Sequence, residues 1–241
     1  MIHLAGITAG HAAPLHTEEA AAIQAEAVFD ALEPRIAEQG GKLTDLCKIT
    51  MQITDRAYRQ AVYSVMGRRL MGVRPVSTGL IIKTLEDPAA LFQLDAFAVP
   101  GGPHRRIRPY RSTSMPYGLE KQAFEAEFCM AVVAGRRVFL RGQTGLTLTG
   151  GFSTLGDAGG QARIAIANVE ALLADAGATL ADAVHATIYV TDRAHITPVM
   201  AALMPRLSAH PIPHSLFVVK GLAAPEILME IDLHAVLRDA G

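Results

Sequence analysis

The sequence predicts an α+β protein made of two tandem domains of one fold. Three observations lead to this prediction: one stretch of sequence occurs twice, each copy alternates helix-like and strand-like patterns of apolar residues, and 50% of all residues are apolar. With 241 residues, the chain is long enough for one large domain or two small ones. Its apolar content is sufficient for a packed core and excludes a disordered or fibrous chain.

The repeat is clearest in segments 43–57 and 180–194, which both end in Thr-Asp-Arg-Ala. At the same offset of about 137 residues, Pro88 and Asp95 correspond to Pro225 and Asp232. A register kept over so long a stretch indicates duplication. We therefore expect a first domain over residues 1–100, a linker over 101–127 and a second domain over 128–241.

The first copy begins with a predicted strand over residues 2–6. Thr17 then opens a helix that should kink or break at Pro34. Four alternating apolar residues predict the next strand and one apolar face of it: Cys47, Ile49, Met51 and Ile53. Helical spacing over 58–66 predicts the second helix, and two closing strands complete the copy.

The second copy repeats this order after an additional strand. A hairpin is expected over 128–133 and 137–142, a helix over 164–176, a strand over 184–191, a helix over 196–207, and strands over 215–220 and 228–236. The first copy therefore lacks one edge strand. The linker, rich in Pro, Gly and Arg, could fill that edge, or the edge could stay open and promote association.

Composition also bears on location and partners. A formal net charge of −1 argues against a protein dedicated to binding nucleic acid or an acidic membrane. No apolar run is long enough to span a membrane, and the N-terminus lacks the pattern of a secretory signal. Two cysteines, Cys47 and Cys129, cannot build a disulfide framework, although a single bridge is possible. We expect a cytoplasmic protein.

Several segments resemble the RidA (YjgF) family. They are residues 160–177, the sequence Thr-Ile-Tyr-Val-Thr-Asp over 187–192, and residues 213–222 leading to Met229-Glu-Ile. The resemblance covers nearly all of the second copy and, more faintly, the first. It implies two RidA-like (chorismate-mutase-like) domains, each a six-stranded mixed sheet backed by two helices. It also implies homotrimers with pockets between subunits, and hydrolysis of reactive enamines and imines without cofactor or metal.

The resemblance implies a site in which one residue of the family is kept and others are replaced. The glutamate of the family corresponds to Glu230, but its carboxylate-binding arginine corresponds to His214. The early-strand tyrosine corresponds to Phe128 and a common pocket asparagine to Met200.

In the first copy, the glutamate and arginine positions are Gln93 and Val76, so this copy looks catalytically empty. It would serve to build the assembly and to wall the cleft.

The exchange of arginine for histidine has a chemical consequence. Arginine presents a two-pronged, permanently charged fork to a carboxylate, whereas histidine offers fewer donors and is only partly charged near neutrality. A substrate held by His214 would therefore be neutral or singly hydrogen-bonded. Arg141, followed by Gly142, could supply a substitute cation, or could be a solvated hairpin residue.

Strand alternation places Glu230, Asp232 and His234 on one face. Glu230 could orient water or move a proton, and burial in a cleft would raise its pKa toward neutrality. Asp232 and His234 more often belong to a polar interface. A metal site is not favoured, because no zinc-binding spacing occurs.

The leading hypothesis is a cofactor-independent hydrolase or deaminase that acts on a small imine-, enamine- or amide-like metabolite. A non-catalytic ligand-binding or assembly protein is the alternative. The ribonuclease activity attached to this family by name is disfavoured, because no basic surface with interleaved aromatic residues is evident. We expect a homo-oligomer, with a trimer favoured.

Overall fold

The computed structural model describes residues 1–114 and 124–238; part of the predicted linker and the last three residues lie outside these ranges. The chain forms two α+β halves, each with a sheet covered by two helices, so the predicted fold class is confirmed. The elements of the first half are β1 (Ile2–Thr8), α1 (Glu18–Glu38), β2 (Leu46–Ile53), α2 (Arg59–Arg69), β3 (Val76–Ile81) and β4 (Phe92–Ala98).

The remaining elements belong to the linker and the second half. They are β5 (Arg105–Ile107), β6 (Tyr110–Arg111), β7 (Glu127–Phe128), β8 (Ala131–Ala134), β9 (Arg137–Leu140), α3 (Ala158–Ala176), β10 (Ala183–Val190), α4 (Ile196–Leu207), β11 (His214–Val218) and β12 (Met229–Val236). None of the helices within the described ranges has the length and apolar character needed to cross a membrane.

Helix α1 starts as expected but does not end at Pro34. The Thr17 hydroxyl accepts a hydrogen bond from the Ala20 amide at 3.1 Å and caps the helix. The predicted break is wrong, since α1 continues to Glu38. Pro34 is exposed, and Leu32 and Ile36 on either side of it are fully buried in the core. Packing of this buried stripe stabilises the helix across the proline.

The two sheets differ in the number of strands. Within the described residues, the first sheet has four strands in the order β1-β4-β2-β3. The second has six in the order β11-β10-β12-β9-β8-β5. In both sheets, the strand after the first helix pairs in parallel with one neighbour and antiparallel with the other. Similar pairing in both halves agrees with duplication of one unit.

Among its described residues, the linker adds no strand to the first sheet, so the first of the two possibilities left open by the sequence is not seen there. Its strand β5 pairs with β8 and extends the second sheet instead. Arg105 donates to the carbonyl oxygens of Asp175 and Ala176, at 2.9 and 2.8 Å. These carbonyls belong to the C-terminal end of α3, where a cation is favoured. This contact holds the linker on the second half.

The faces of the two sheets that their own helices leave uncovered meet each other. Cys47 and Val76 of the first half pack with Cys129, Val132 and Phe139 of the second. Cys47 was predicted on the same face as Ile49, Met51 and Ile53, and this is wrong. A register shift between positions 46 and 48 turns Cys47 toward the second half, while the other three lie in the core of the first half. Burial raises the pKa values of the Cys47 and Cys129 thiols to about 11 and 12, respectively.

Backbone contacts also join the halves. The amide of Ile81 donates to the carbonyl oxygen of Gly221 at 2.8 Å, and the amide of Gly221 donates in return at 3.0 Å. The amide of Gly142 donates to the carbonyl oxygen of Ser77 at 3.3 Å. Strand β3 is therefore held against the loops that follow β9 and β11, and a cleft forms where α2 approaches the second sheet.

Candidate active site

A pocket lies in this cleft, between α2 and β3 of the first half and β12 of the second. We call it the cleft pocket. Its polar side chains include Arg59 and Tyr63 from α2, Arg141 from the end of β9, and Glu230 from β12. Its aromatic walls are Tyr110, Phe124 and Phe128. The pocket therefore combines groups that are far apart in the sequence and come from both halves.

Among the described residues that line this pocket, Glu230 supplies the carboxyl group. It is only 4% exposed and lies opposite Tyr189 of β10 in the antiparallel ladder. A Cβ atom at Gly142 would lie 1.7 Å from Oε1 of Glu230, so only glycine leaves space for the carboxyl group. Gly142 thus leaves the space that the Glu230 carboxyl group occupies.

The surroundings of Glu230 favour its protonated form. Burial raises its pKa from 4.5 to about 8, and the negative charge of Asp232 adds to this rise. Arg141, Lys48 and the Thr78 hydroxyl act in the opposite direction and are outweighed. A buried carboxyl that holds a proton near neutral pH can act as a general acid.

Two guanidinium groups flank the pocket, one from each half. The guanidinium of Arg59 lies 4.2 Å from the centre of the Tyr63 ring and 5.3 Å from that of Phe124. The guanidinium of Arg141 lies 5.6 Å from the centre of the Tyr110 ring. Stacking on aromatic rings restricts both side chains.

Tyr63 completes the wall formed by α2. A Cβ atom at Gly79 would lie 2.1 Å from the Tyr63 hydroxyl oxygen, so the absence of a side chain on β3 makes room for this phenol. Burial raises the pKa of Tyr63. The phenol thus stays a neutral hydrogen-bonding group at physiological pH.

Four of the six site residues predicted from sequence line this one pocket: Glu230, Arg141, Gly142 and Phe128. The structure does not bring the other two there. His214 is exposed at the start of β11, and its Nδ1 atom lies 3.2 Å from the carbonyl oxygen of Ile212. Met200 lies on α4 and packs against the core of the second half.

The internal repeat explains this separation. At the offset of about 137 residues, Met200 corresponds to Tyr63 and His214 to Ser77. Ala186 lies opposite His214 in the second sheet, as Ile49 lies opposite Ser77 in the first, so Ser77 rather than Val76 is the counterpart of His214. Tyr63 and Ser77 line the cleft pocket. The pocket therefore takes these positions from the first half and its carboxyl group from the second.

Sequence reasoning missed Arg59 and Tyr63 because it treated the first copy as catalytically empty. The two side chains are one helical turn apart on α2, beside the apolar stripe that the periodicity identified. The signal in the sequence that could have identified them was a cation and an aromatic residue one turn apart, next to the apolar stripe that faces the core. Within residues 1–114 and 124–238, no group of three His, Cys, Asp or Glu side chains is placed to bind a metal ion.

Comparison with known proteins agrees with this architecture. Residues 120–237 match the family model described as Endoribonuclease L-PSP. The second half of the chain belongs to this family. The resemblance to the RidA (YjgF) family and the tandem organisation are thereby confirmed. A search of curated proteins gave no match.

Solved structures extend the likeness to both halves. A chorismatase structure superposes with a TM-score of 0.71 at 18% identity, covering 93% of this chain and 72% of that one. At this identity, the likeness shows the fold alone. A YjgF-family protein from Mycobacterium tuberculosis is 26% identical, and covers 56% of this chain and all of its own, with a TM-score of 0.42. A Thermotoga maritima putative endoribonuclease is 22% identical over 56% of this chain and 98% of its own, with a TM-score of 0.45.

Proposed function

We propose that this protein converts a small, carboxylate-bearing metabolite by proton transfer from Glu230 in the cleft pocket. Family and fold support the processing of a small molecule. The observation that carries the finer proposal is a buried carboxyl group in a pocket flanked by guanidinium groups from both halves, where burial favours its protonated form. The leading reaction is hydrolysis of an enamine or imine.

The charges of the pocket select the substrate. Below a pH of about 8 Glu230 is neutral, while Arg59 and Arg141 remain charged. Guanidinium groups match the geometry of carboxylates, so the pocket is suited to a carboxylate-bearing substrate. This replaces the neutral substrate inferred from His214, which lies outside the pocket.

The reaction follows from the position of the proton. Glu230 would transfer its proton to the β-carbon of an enamine, which gives an iminium ion and leaves a carboxylate. Water then adds to the iminium carbon and returns a proton to Glu230. The resulting carbinolamine breaks its C–N bond to give a ketone and ammonia. The cycle consumes one water molecule and needs no cofactor.

Cleavage of a chorismate-like substrate is the second candidate. The chorismatase match extends over both halves, which together form the pocket. Chorismate is a dicarboxylic acid with an unsaturated ring and an enol ether, whose cleavage can also begin with proton transfer to carbon. Two arginines and the aromatic walls Tyr110, Phe124 and Phe128 suit a planar dianion.

One experiment separates these reactions from a purely binding role. The purified full chain is given enamines freshly generated from several amino acids, with ammonia as the readout, and chorismate, with pyruvate as the readout. Glu230→Gln should lower turnover at least about 100-fold, while Glu86→Gln, at an exposed position, should leave it unchanged. Equal turnover by Glu230→Gln would reject proton transfer by this residue. Tight binding of these ligands without turnover would favour the non-catalytic alternative.

The predicted homo-oligomer stays a proposal, supported by one exposed surface. Phe217 on β11 is 53% exposed, whereas its counterpart Leu80 on β3 is 5% exposed beneath the second half. In the first half, this surface of β3 is buried against the second half. The equivalent surface of β11 in the second half is exposed. We propose that another copy of the chain covers it. Light scattering should show an oligomer, favoured as a trimer, that Phe217→Glu dissociates; a monomeric wild-type protein would contradict the proposal.

A further inference from the structure

A buried lysine of the first half forms an ion pair beside the proton donor. Lys48 on β2 is 2% exposed, and its Nζ atom lies 3.0 Å from Oδ1 of Asp232 on β12. Nζ also donates to the Thr78 hydroxyl at 3.1 Å and to the carbonyl oxygen of Leu140 at 3.2 Å. All three donor positions of the ammonium group are therefore directed at partners, and two of these belong to the second half.

Thr78 of β3 lies between the two carboxyl groups of β12. Its hydroxyl donates to Oδ1 of Asp232 at 2.5 Å. The same hydroxyl lowers the pKa of Glu230. Glu230 and Asp232 are two residues apart and project from the same face of the strand, with Cα atoms about 7 Å apart. Both residues are 4% exposed.

The buried cluster contains one ammonium group and two carboxyl groups. Two neighbouring desolvated carboxyl groups resist ionising together, so one of them retains a proton. The ion pair and the Thr78 hydrogen bond both favour the charged form of Asp232. The proton then remains with Glu230, which faces the cleft pocket.

Other charged or titratable groups also face this cluster. Arg141 flanks Glu230 at the end of β9, Tyr63 and Arg59 approach from α2, and Tyr189 lies opposite on β10. His234 adjoins Asp232 on β12, and burial lowers its pKa to about 4, so it is neutral near pH 7. Lys48 and Thr78 both contact the Asp232 carboxylate directly.

We propose that Lys48 and Thr78 are positioning residues that keep Asp232 charged and so leave the shared proton on Glu230. The first half thereby controls the acid chemistry of a site whose proton donor belongs to the second half. The consequence for catalysis rests on the proposed function, but the protonation pattern itself can be measured without a substrate.

The test is a carbon-13 NMR titration of the full chain, labelled at the side-chain carboxyl carbons of Asp and Glu. Lys48→Met should leave Asp232 partly protonated near pH 7, because the ionised form of Asp232 loses its ion pair. Thr78→Val should increase the protonation of Asp232 by a smaller amount, because only one hydrogen bond is lost. If Asp232 stays ionised and Glu230 titrates as before in Lys48→Met, the proposal is wrong.

Asp232→Asn provides a test that does not remove the buried cation and preserves side-chain shape. Glu230 should then ionise at least about one pH unit lower, because the neighbouring negative charge is gone and Lys48 remains. The alkaline limb of any kcat/KM profile should move by the same amount. Asp95→Asn, at the corresponding position of the first half, is the matched control and should leave Glu230 unchanged.

The outcomes for this inference and for the proposed function are distinct. An unchanged Glu230 titration in folded Asp232→Asn would overturn the inference. Absence of turnover on every substrate would overturn the proposed function, while the titration could still support the role of Lys48 and Thr78.

Discussion

Glu230→Gln replaces a buried titratable carboxyl group by a neutral amide of nearly the same shape. In the folded protein, burial and the charge of Asp232 raise the pKa of Glu230 from 4.5 to about 8. In the unfolded chain, the same group ionises near 4.5. The folded state therefore binds a proton over a pH range in which the unfolded state has released it.

The sign of the effect follows from this difference in proton binding. Between pH 4.5 and about 8, the unfolded state binds fewer protons at Glu230, so the free energy of unfolding falls as pH rises. Each pH unit contributes about 1.4 kcal/mol, which gives at most about 5 kcal/mol over the whole range. The stabilising contribution of the neutral carboxyl is complete below the unfolded pKa and lost as pH rises through the folded one. Glutamine has no proton to release and should remove this loss.

The measurement is urea denaturation of wild type, Glu230→Gln and the control Glu86→Gln from pH 5 to pH 9. The free energies of unfolding of wild type and Glu230→Gln should be similar near pH 5. By pH 8, Glu230→Gln should be more stable by about 2–5 kcal/mol, and the difference should then stay constant. Glu86 is exposed, so its substitution should leave the slope of the wild-type curve unchanged.

Parallel curves for wild type and Glu230→Gln between pH 5 and pH 8 would refute the reasoning. They would mean that Glu230 is already ionised in the folded protein, and hence that it cannot be the proton donor near neutral pH. A smaller slope that Asp232→Asn abolishes would instead support the contribution of the neighbouring charge.

Three further predictions concern the cleft. Gly142→Ala should lower activity at least about 100-fold, because the added Cβ atom would lie 1.7 Å from the Glu230 carboxyl group. Gly151→Ala is the control and should retain activity in the same assay, because the nearest atom to its added Cβ lies at 3.3 Å. Lys48→Ala should lower the free energy of unfolding, measured by urea denaturation, by about 3–5 kcal/mol, because it removes the ion-pair partner of the buried Asp232 carboxylate. The double variant Lys48→Met with Asp232→Leu should restore most of this loss. If Arg59 binds a carboxylate of the substrate, Arg59→Ala should reduce kcat/KM by about 10- to 100-fold, mainly by raising KM. An unchanged KM would contradict this role.

Local pattern predicted much of the fold correctly. Alternation placed Glu230, Asp232 and His234 on one face of a strand, and in the structure Asp232 and His234 contact Lys48 and Phe97 of the first half. The apolar stripe of the helix over 164–176 is buried along α3. These predictions succeeded because a helix or strand alternates its faces at a period fixed by the backbone.

Where long-range packing competes with local signals, the local signals failed. Pro34 does not end α1, because the buried side chains on both sides of it pack in one core. The linker strand β5 joins the second sheet, where it meets both a free strand edge and the end of α3. A strand can form on either of two open edges, and its own residues do not specify which one it joins.

The sequence by itself determined that the chain contains two copies of one α+β unit, where most helices and strands lie, and that Glu230 has a polar face in common with Asp232. Only the tertiary structure decided that Arg59 and Tyr63 of the first copy complete the pocket of Glu230, while His214 and Met200 remain outside it. The physical reason is that the repeat gives each unit two different binding faces. Periodicity identifies a face, but which face of one unit packs on which face of the other depends on shape and charge across distant segments. The Lys48–Asp232 ion pair shows this, because on its own strand Lys48 is only a charged residue, and the opposing sheet makes it buried.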